Sequence, residues 1–125
     1  NVILSTIPHE AEIREAMQNL DPDSAARPDG FSGAFYRASW ESVKSDLIEA
    51  IQDFFRGGPL PLVACATSVV LIPKSKAPSS IDHFRPISMC NIPYKILSSI
   101  LNSRLTLHLP ICISPEQHGF VRGLY

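Results

Sequence analysis

The stretch VVLIPKSKAPSSIDHFRPIS, Val69 to Ser88, decides the fold. An apolar run, Val69 to Ile72, ends in Pro73-Lys74; a polar loop follows, and the chain returns as Phe84-Arg85-Pro86-Ile87. With the residues before it, Thr67 to Pro73 reads as a strand that is β-branched, apolar on both faces toward its end and bounded by polar turns. That pattern is the one expected of a buried strand. Pro86 to Ser88 reads as a short return segment with the character of an edge strand, because proline cannot donate to a ladder. If the two segments pair, Lys74 and Arg85 meet at the mouth of the connecting loop, with Lys76 nearby. Lysine is a mobile point charge and arginine a planar fork, so the set suits a phosphate group. On spacing alone, cations at strand ends are more usually just solvated.

Helical patterns flank this hairpin. Pro8 to Glu12 opens a helix with acidic residues in its first turn, and Ile13, Ala16, Met17 and Leu20 make one apolar face before Asp21-Pro22 ends it. Asp21 and Asp23 resemble the start of a calcium loop, but Ala25 and Ala26 stand where oxygen ligands and a glycine are needed. Pro28-Asp29-Gly30 is a turn signal: fixed φ, then a side chain that bonds backbone, then permitted positive φ. A second helical region is expected from about Gly33 to Arg56, with Trp40, Val43, Leu47, Ile48, Ile51, Phe54 and Phe55 at helical spacing and Gly57-Gly58 as its stop. A third begins near Ile92-Pro93 and buries Ile96, Leu97, Ile100, Leu101 and Leu105, leaving Lys95, Asn102 and Arg104 outside that stripe. Ser114 to Gln117 opens a short fourth helix.

The bulk properties are those of one folded domain or a piece of one. The chain has 125 residues, 45% apolar, with 11 prolines scattered through it. Its net charge of −1 conceals an asymmetry: residues 1–56 hold five basic and ten acidic side chains, residues 57–125 six basic and two acidic. The basic half hints at an anionic partner. Cys65, Cys90 and Cys112 form no C-x-x-C pair, which excludes a zinc site or disulfide framework on pattern and points to free thiols in an intracellular, reducing compartment. No apolar run reaches the ~18 residues of a membrane span. Asn1 is not an initiator methionine, and the chain reads as part of something longer.

LIPK (71–74), FRPIS (84–88), CNIPYKILSSILNSRL (90–105) and ISPEQHGFVRG (113–123), with PDGFSGAFY (28–36) upstream, resemble the reverse transcriptase of non-LTR, LINE-type retrotransposons. The resemblance runs from about Ile7 to Gly123, in family order and spacing. It implies an α+β fold: a mostly helical fragment with a β-hairpin, the fingers region of a right-hand polymerase, with residues 1–125 a partial reverse transcriptase domain. By position it implies that Arg85 contacts the nucleoside triphosphate and that Lys74 contacts triphosphate or template backbone. Lys76, Lys95, Arg104, Gln117 and Arg122 are implied on the nucleic-acid path. There are two departures from the family pattern. Ala26-Arg27 replace a Pro-Gly, and Leu124 replaces an arginine.

The resemblance also implies what is lacking. The family's RNA-directed DNA polymerase uses palm carboxylates on Mg2+, from an F-x-D and a Y/F-A-D-D segment, and neither segment occurs in these residues. Nor do His9, His83, His108 or His118 have partners at catalytic spacing. The expectation is a catalytically incomplete fingers fragment whose partners, in the complete enzyme, are an RNA or DNA template-primer and a nucleoside triphosphate. Two alternatives stand beside it: a small nucleic-acid-binding module, or a retrotransposon relic without selected activity. Self-association is also expected, through apolar helix faces left open where a palm is missing. The candidates are the Trp40, Leu47, Ile51, Phe54 face and the Ile96, Ile100, Leu101 face.

Overall fold

The computed structural model describes residues 2–22 and 27–109. In chain order they form α1 (Val2–Ser5), α2 (Glu10–Gln18), α3 (Gly33–Ala38), α4 (Trp40–Phe55), β1 (Thr67–Pro73), β2 (Phe84–Cys90) and α5 (Ile92–Thr106). The fold is α+β, helices with one two-stranded antiparallel hairpin, as the sequence pattern predicts.

The core lies among the helices. Ile13, Ala16, Met17 and Leu20 from α2 and its end meet Trp40, Leu47 and Ile51 of α4 and Ile92, Ile96 and Ile100 of α5. The two helix faces expected to be open for self-association are largely this core: Trp40, Leu47, Ile51, Ile96 and Ile100 are buried, and only Phe54 and Leu101 are partly exposed. Residues of both faces belong to one core cluster that they share with α2.

The single helical region expected over 33–56 is two helices. Ser39 closes α3, donating its N–H to Phe35 O, and opens α4, its carbonyl accepting from Ser42 and Val43. The break turns Trp40 into the core. Ser32 caps α3 by accepting the Phe35 N–H on its hydroxyl. The glycine stop after α4 takes the form expected of it: Gly57 sits at φ 98° and donates to Phe54 O, while Gly58 donates to Asp53 O.

Gly30 adopts φ 80° in the Pro28-Asp29-Gly30 turn, donating to Arg27 O, and Asp29 Oδ1 accepts the Phe31 N–H. Arg27, read from its sequence position as a departure from the family pattern, is buried. Arg37 Nη2 donates to the carbonyls of Gln18 and Leu20 and so caps the end of α2.

Candidate nucleic-acid interface

β1 spans the seven residues expected, Thr67–Pro73, but it is not a buried strand. Every residue of it is exposed, with Val69 at 61%, Val70 at 43%, Leu71 at 47% and Ile72 at 48%. No described element covers either face, so its apolar pattern reports β-propensity and not burial. The return strand is longer than the Pro86–Ser88 segment expected and runs over Phe84–Cys90.

The register pairs Thr67 with Cys90 and Ile72 with Arg85. Directly paired residues share a face, and alternation returns to that face two residues on. Lys74 therefore lies on the same face as Ile72 and Arg85, diagonal to Arg85 at the hairpin mouth. Such diagonal neighbours stand about 7–8 Å apart. The ladder extends to Lys74, whose N–H donates to His83 O at 2.7 Å, and its ammonium donates to Asp82 O at 2.8 Å. An ammonium carries three donors, so this one bond orients Lys74 without exhausting it.

The loop is organised by its own backbone. A 3-10 turn at Ile81–His83 brings the His83 N–H to Ser80 O, and His83 Nδ1 accepts the Ser79 N–H at 3.2 Å. When neutral, this imidazole therefore carries its proton on Nε2. Lys76 is exposed in the same loop and Arg85 is exposed on β2, so three cations share the exposed hairpin with one acidic residue, Asp82.

The other expected contacts divide. Lys95 is exposed on the first turns of α5. Arg104 is not outside the α5 stripe but continues it, 8% exposed and four residues beyond Ile100. Its Nε and Nη2 each donate at 2.8 Å to the Glu12 carboxylate, its Nη1 donates to Leu4 O and Thr6 O, and its guanidinium lies 5.0 Å from the Phe55 ring centre. That arrangement locks α5 to α2. Leu105, expected in the stripe, is exposed instead, and Leu101 is half-buried. Gln117 and Arg122 lie outside the described residues, as do Cys112, His118 and the expected helix over 114–117.

Asn91 is the positioning residue that sequence reasoning missed. It is 1% exposed; its Nδ2 donates to Val63 O at 2.7 Å, and its Oδ1 accepts the Asp29 N–H at 3.2 Å. Its own N–H extends the ladder to Ala66 O, and its carbonyl accepts from Lys95 at the start of α5. One side chain thus joins the Pro28–Gly30 turn, the approach to β1 and the α5 N-terminus. The signal that could have found it is an asparagine just before Ile92-Pro93.

A second concave feature is chemically different. A cleft of about 400 Å3 is lined by Phe31, Phe35, Tyr36, Leu47, Leu60 and Pro61 among others, and Phe31 and Phe35 stack at 4.5 Å. Its one charged lining residue is Asp46, so it does not suit phosphate. Burial, with Asp29 adding to it, pushes the Tyr36 hydroxyl above its ordinary pKa. Among the described residues no group of three or more His, Cys, Asp or Glu side chains could hold a metal ion. No helix among the described residues is long and apolar enough to cross a membrane.

No family model matches the chain. It is similar to the Transposon TX1 uncharacterized 149 kDa protein of Xenopus laevis, 27% identical over 112 residues. Those residues are 90% of this chain and 9% of that protein, so the chain spans under a tenth of its relative's length. The likeness covers the helical core and the hairpin together.

Proposed function

We propose that these residues are the fingers portion of a non-LTR retrotransposon reverse transcriptase, and that the hairpin contacts template and incoming nucleotide. The observation that carries the reading is the shared face of Lys74 and Arg85 at the loop end of an exposed hairpin. The likeness to a transposon protein supports it. Phosphoryl transfer asks the protein mainly for positioned positive charge, since charge builds on oxygens that the protein does not itself bond covalently. A strand with a proline-bearing return holds two cations at fixed separation for that purpose. Lys76 and Lys95 extend the positive surface, while Arg104 acts through the fold. These 125 residues contain neither carboxylate segment of the polymerase, so alone they bind and do not synthesise DNA.

The test is a titration of fluorescent single-stranded RNA across a salt series. Each phosphate that a protein cation neutralises on a single strand adds roughly 0.7 to the salt slope. Removing two such cations, in Lys74→Ala with Arg85→Ala, therefore flattens the slope by about 1 to 1.5. Lys44→Ala is the control, because Lys44 lies on the acidic half and is paired with Glu41. An unchanged slope in the double variant, or an equal loss in the control, overturns the reading. Primer extension by the purified chain above a no-protein blank overturns its second half.

A further inference from the structure

The hairpin's hydrogen-bond phase makes its two edges unequal. Lys74 N–H donates to His83 O and Asn91 N–H donates to Ala66 O, both in register with the Thr67–Cys90 ladder. Bonded and non-bonded pairs alternate along an antiparallel ladder. The bonded pairs are therefore Ser68 with Met89, Val70 with Ile87 and Ile72 with Arg85. Thr67, Val69, Leu71 and Pro73 turn their backbone outward on β1, and Phe84, Pro86, Ser88 and Cys90 do so on β2. Both strand prolines sit at outward positions, where a missing N–H leaves the hairpin ladder intact. Their effect on the edges differs. Pro86 interrupts the β2 edge in its middle. Pro73 sits at the end of β1 and leaves three consecutive outward amides, Thr67, Val69 and Leu71, that no described residue pairs.

We propose that the outer edge of β1 is a pairing surface for a second copy of this chain. Two β1 strands join antiparallel about a two-fold axis at Val69, forming a sheet ordered β2, β1, then β1 and β2 of the second copy. Self-pairing is favoured by the strand itself. TSVVLIP carries no charge, so a copy meets no like charge along the contact. The two-fold sets Val69 opposite itself and Thr67 opposite Leu71 of the second copy, a self-complementary contact that closes at two chains. It also sends the two Lys74 residues to opposite ends of the joined strands, about 30 Å apart from the strand rise, well beyond the screening length of about 8 Å. A lone two-stranded hairpin is marginal, and three or more strands are needed for a sheet to stand alone. A long apolar edge without a charge is the kind that pairs. The contact is small, which makes the dimer weak and concentration-dependent.

The test needs no nucleic acid and leaves Lys74 and Arg85 in place, so its failure is separate from failure of the nucleotide-contact reading. Sedimentation over a concentration series is combined with residue-resolved amide exchange on the 125-residue chain. The expected result is a dimer at high concentration in which the Thr67, Val69 and Leu71 amides slow, while Ser88 and Cys90 remain fast. Val69→Pro sits at an outward position, like Pro73 and Pro86. Present in both copies, it removes the two inter-chain bonds that Val69 exchanges with its counterpart, weakening association about ten-fold or more. Val69→Lys, which keeps the amide and adds a charge to the edge, weakens it as well. A chain monomeric at every concentration overturns the proposal. So does a dimer untouched by both variants, as one formed through the aromatic cleft would be, or one whose odd-numbered β1 amides still exchange freely. Slow exchange of those amides in the dilute monomer also overturns it, by showing an edge already paired within the chain.

Discussion

Ile96 on α5 is fully buried, while Leu71 on β1, an equally apolar side chain, is 47% exposed. The two stand for two regions built on different terms. The helical body closes on itself: α2, α4 and α5 contribute the buried residues, and Arg104 ties α5 to α2 with paired, fully directed donors. The hairpin is held by its backbone ladder and a few side-chain bonds at its loop, and displays apolar side chains on both faces. The difference teaches that apolar patterning reports burial only where another element supplies the second surface. Helices supply that surface to one another; the hairpin, among the described residues, has none.

The largest effect that separates the regions is in truncation. Ile96→Ala removes atoms from a packed core and costs about 2–5 kcal/mol of stability. Leu71→Ala changes stability by less than about 0.5 kcal/mol, the usual range for surface positions. Chemical denaturation of the two variants compares them directly, and an equal loss would dissolve the distinction between body and hairpin.

Arg104→Met is the next largest. It keeps the length of the stem but leaves the Glu12 carboxylate and the Leu4 and Thr6 carbonyls without their donor. Breaking a buried pair costs about 3–5 kcal/mol, and the partial exposure of Glu12 brings this one to about 2 kcal/mol. RNA binding per folded molecule stays unchanged, because Arg104 acts through the fold. A variant of full stability that binds RNA poorly would instead assign Arg104 to the interface.

Asn91→Ala joins the two regions in one experiment. It removes the donor to Val63 O and the acceptor for Asp29 N–H, two part-buried bonds worth about 1 kcal/mol each. Amide exchange should rise in the 28–31 turn and at the base of the hairpin near Ala66, with the α2 amides changed least. Uniform acceleration through every helix would mean that Asn91 supports the core and not the join.

Much of the local architecture was legible from residues alone. β1 has the bounds its composition predicts, α5 begins at Ile92-Pro93, and the glycines at 30 and 57 adopt the positive φ that their turns require. These features depend on neighbours a few positions away. What escaped depends on distant ones. Arg104 reads as a surface cation until Glu12, 92 positions earlier, is brought beside it. Asn91 needs Asp29 and Val63 to become a hub. The break at Ser39 is decided by Trp40 turning into the core, and the exposure of β1 by the lack of a covering element among the described residues, which no local pattern encodes. For the candidate site, the approach of Lys74 to Arg85 across a loop was readable from the hairpin pattern. Their common face followed only from the register.

Positive charge on the hairpin, not the acidic helical body or the aromatic cleft, is proposed to meet nucleic acid. Amide shift mapping with a short single-stranded RNA, and separately with a nucleoside triphosphate, tests this most directly. The predicted result is a set of shifts confined to residues 72–76 and 83–87, fading as salt is raised and absent in the Lys74→Ala, Arg85→Ala variant. Shifts centred on Phe31, Phe35 and Tyr36, or on α2 and α4, with the hairpin silent, would contradict it.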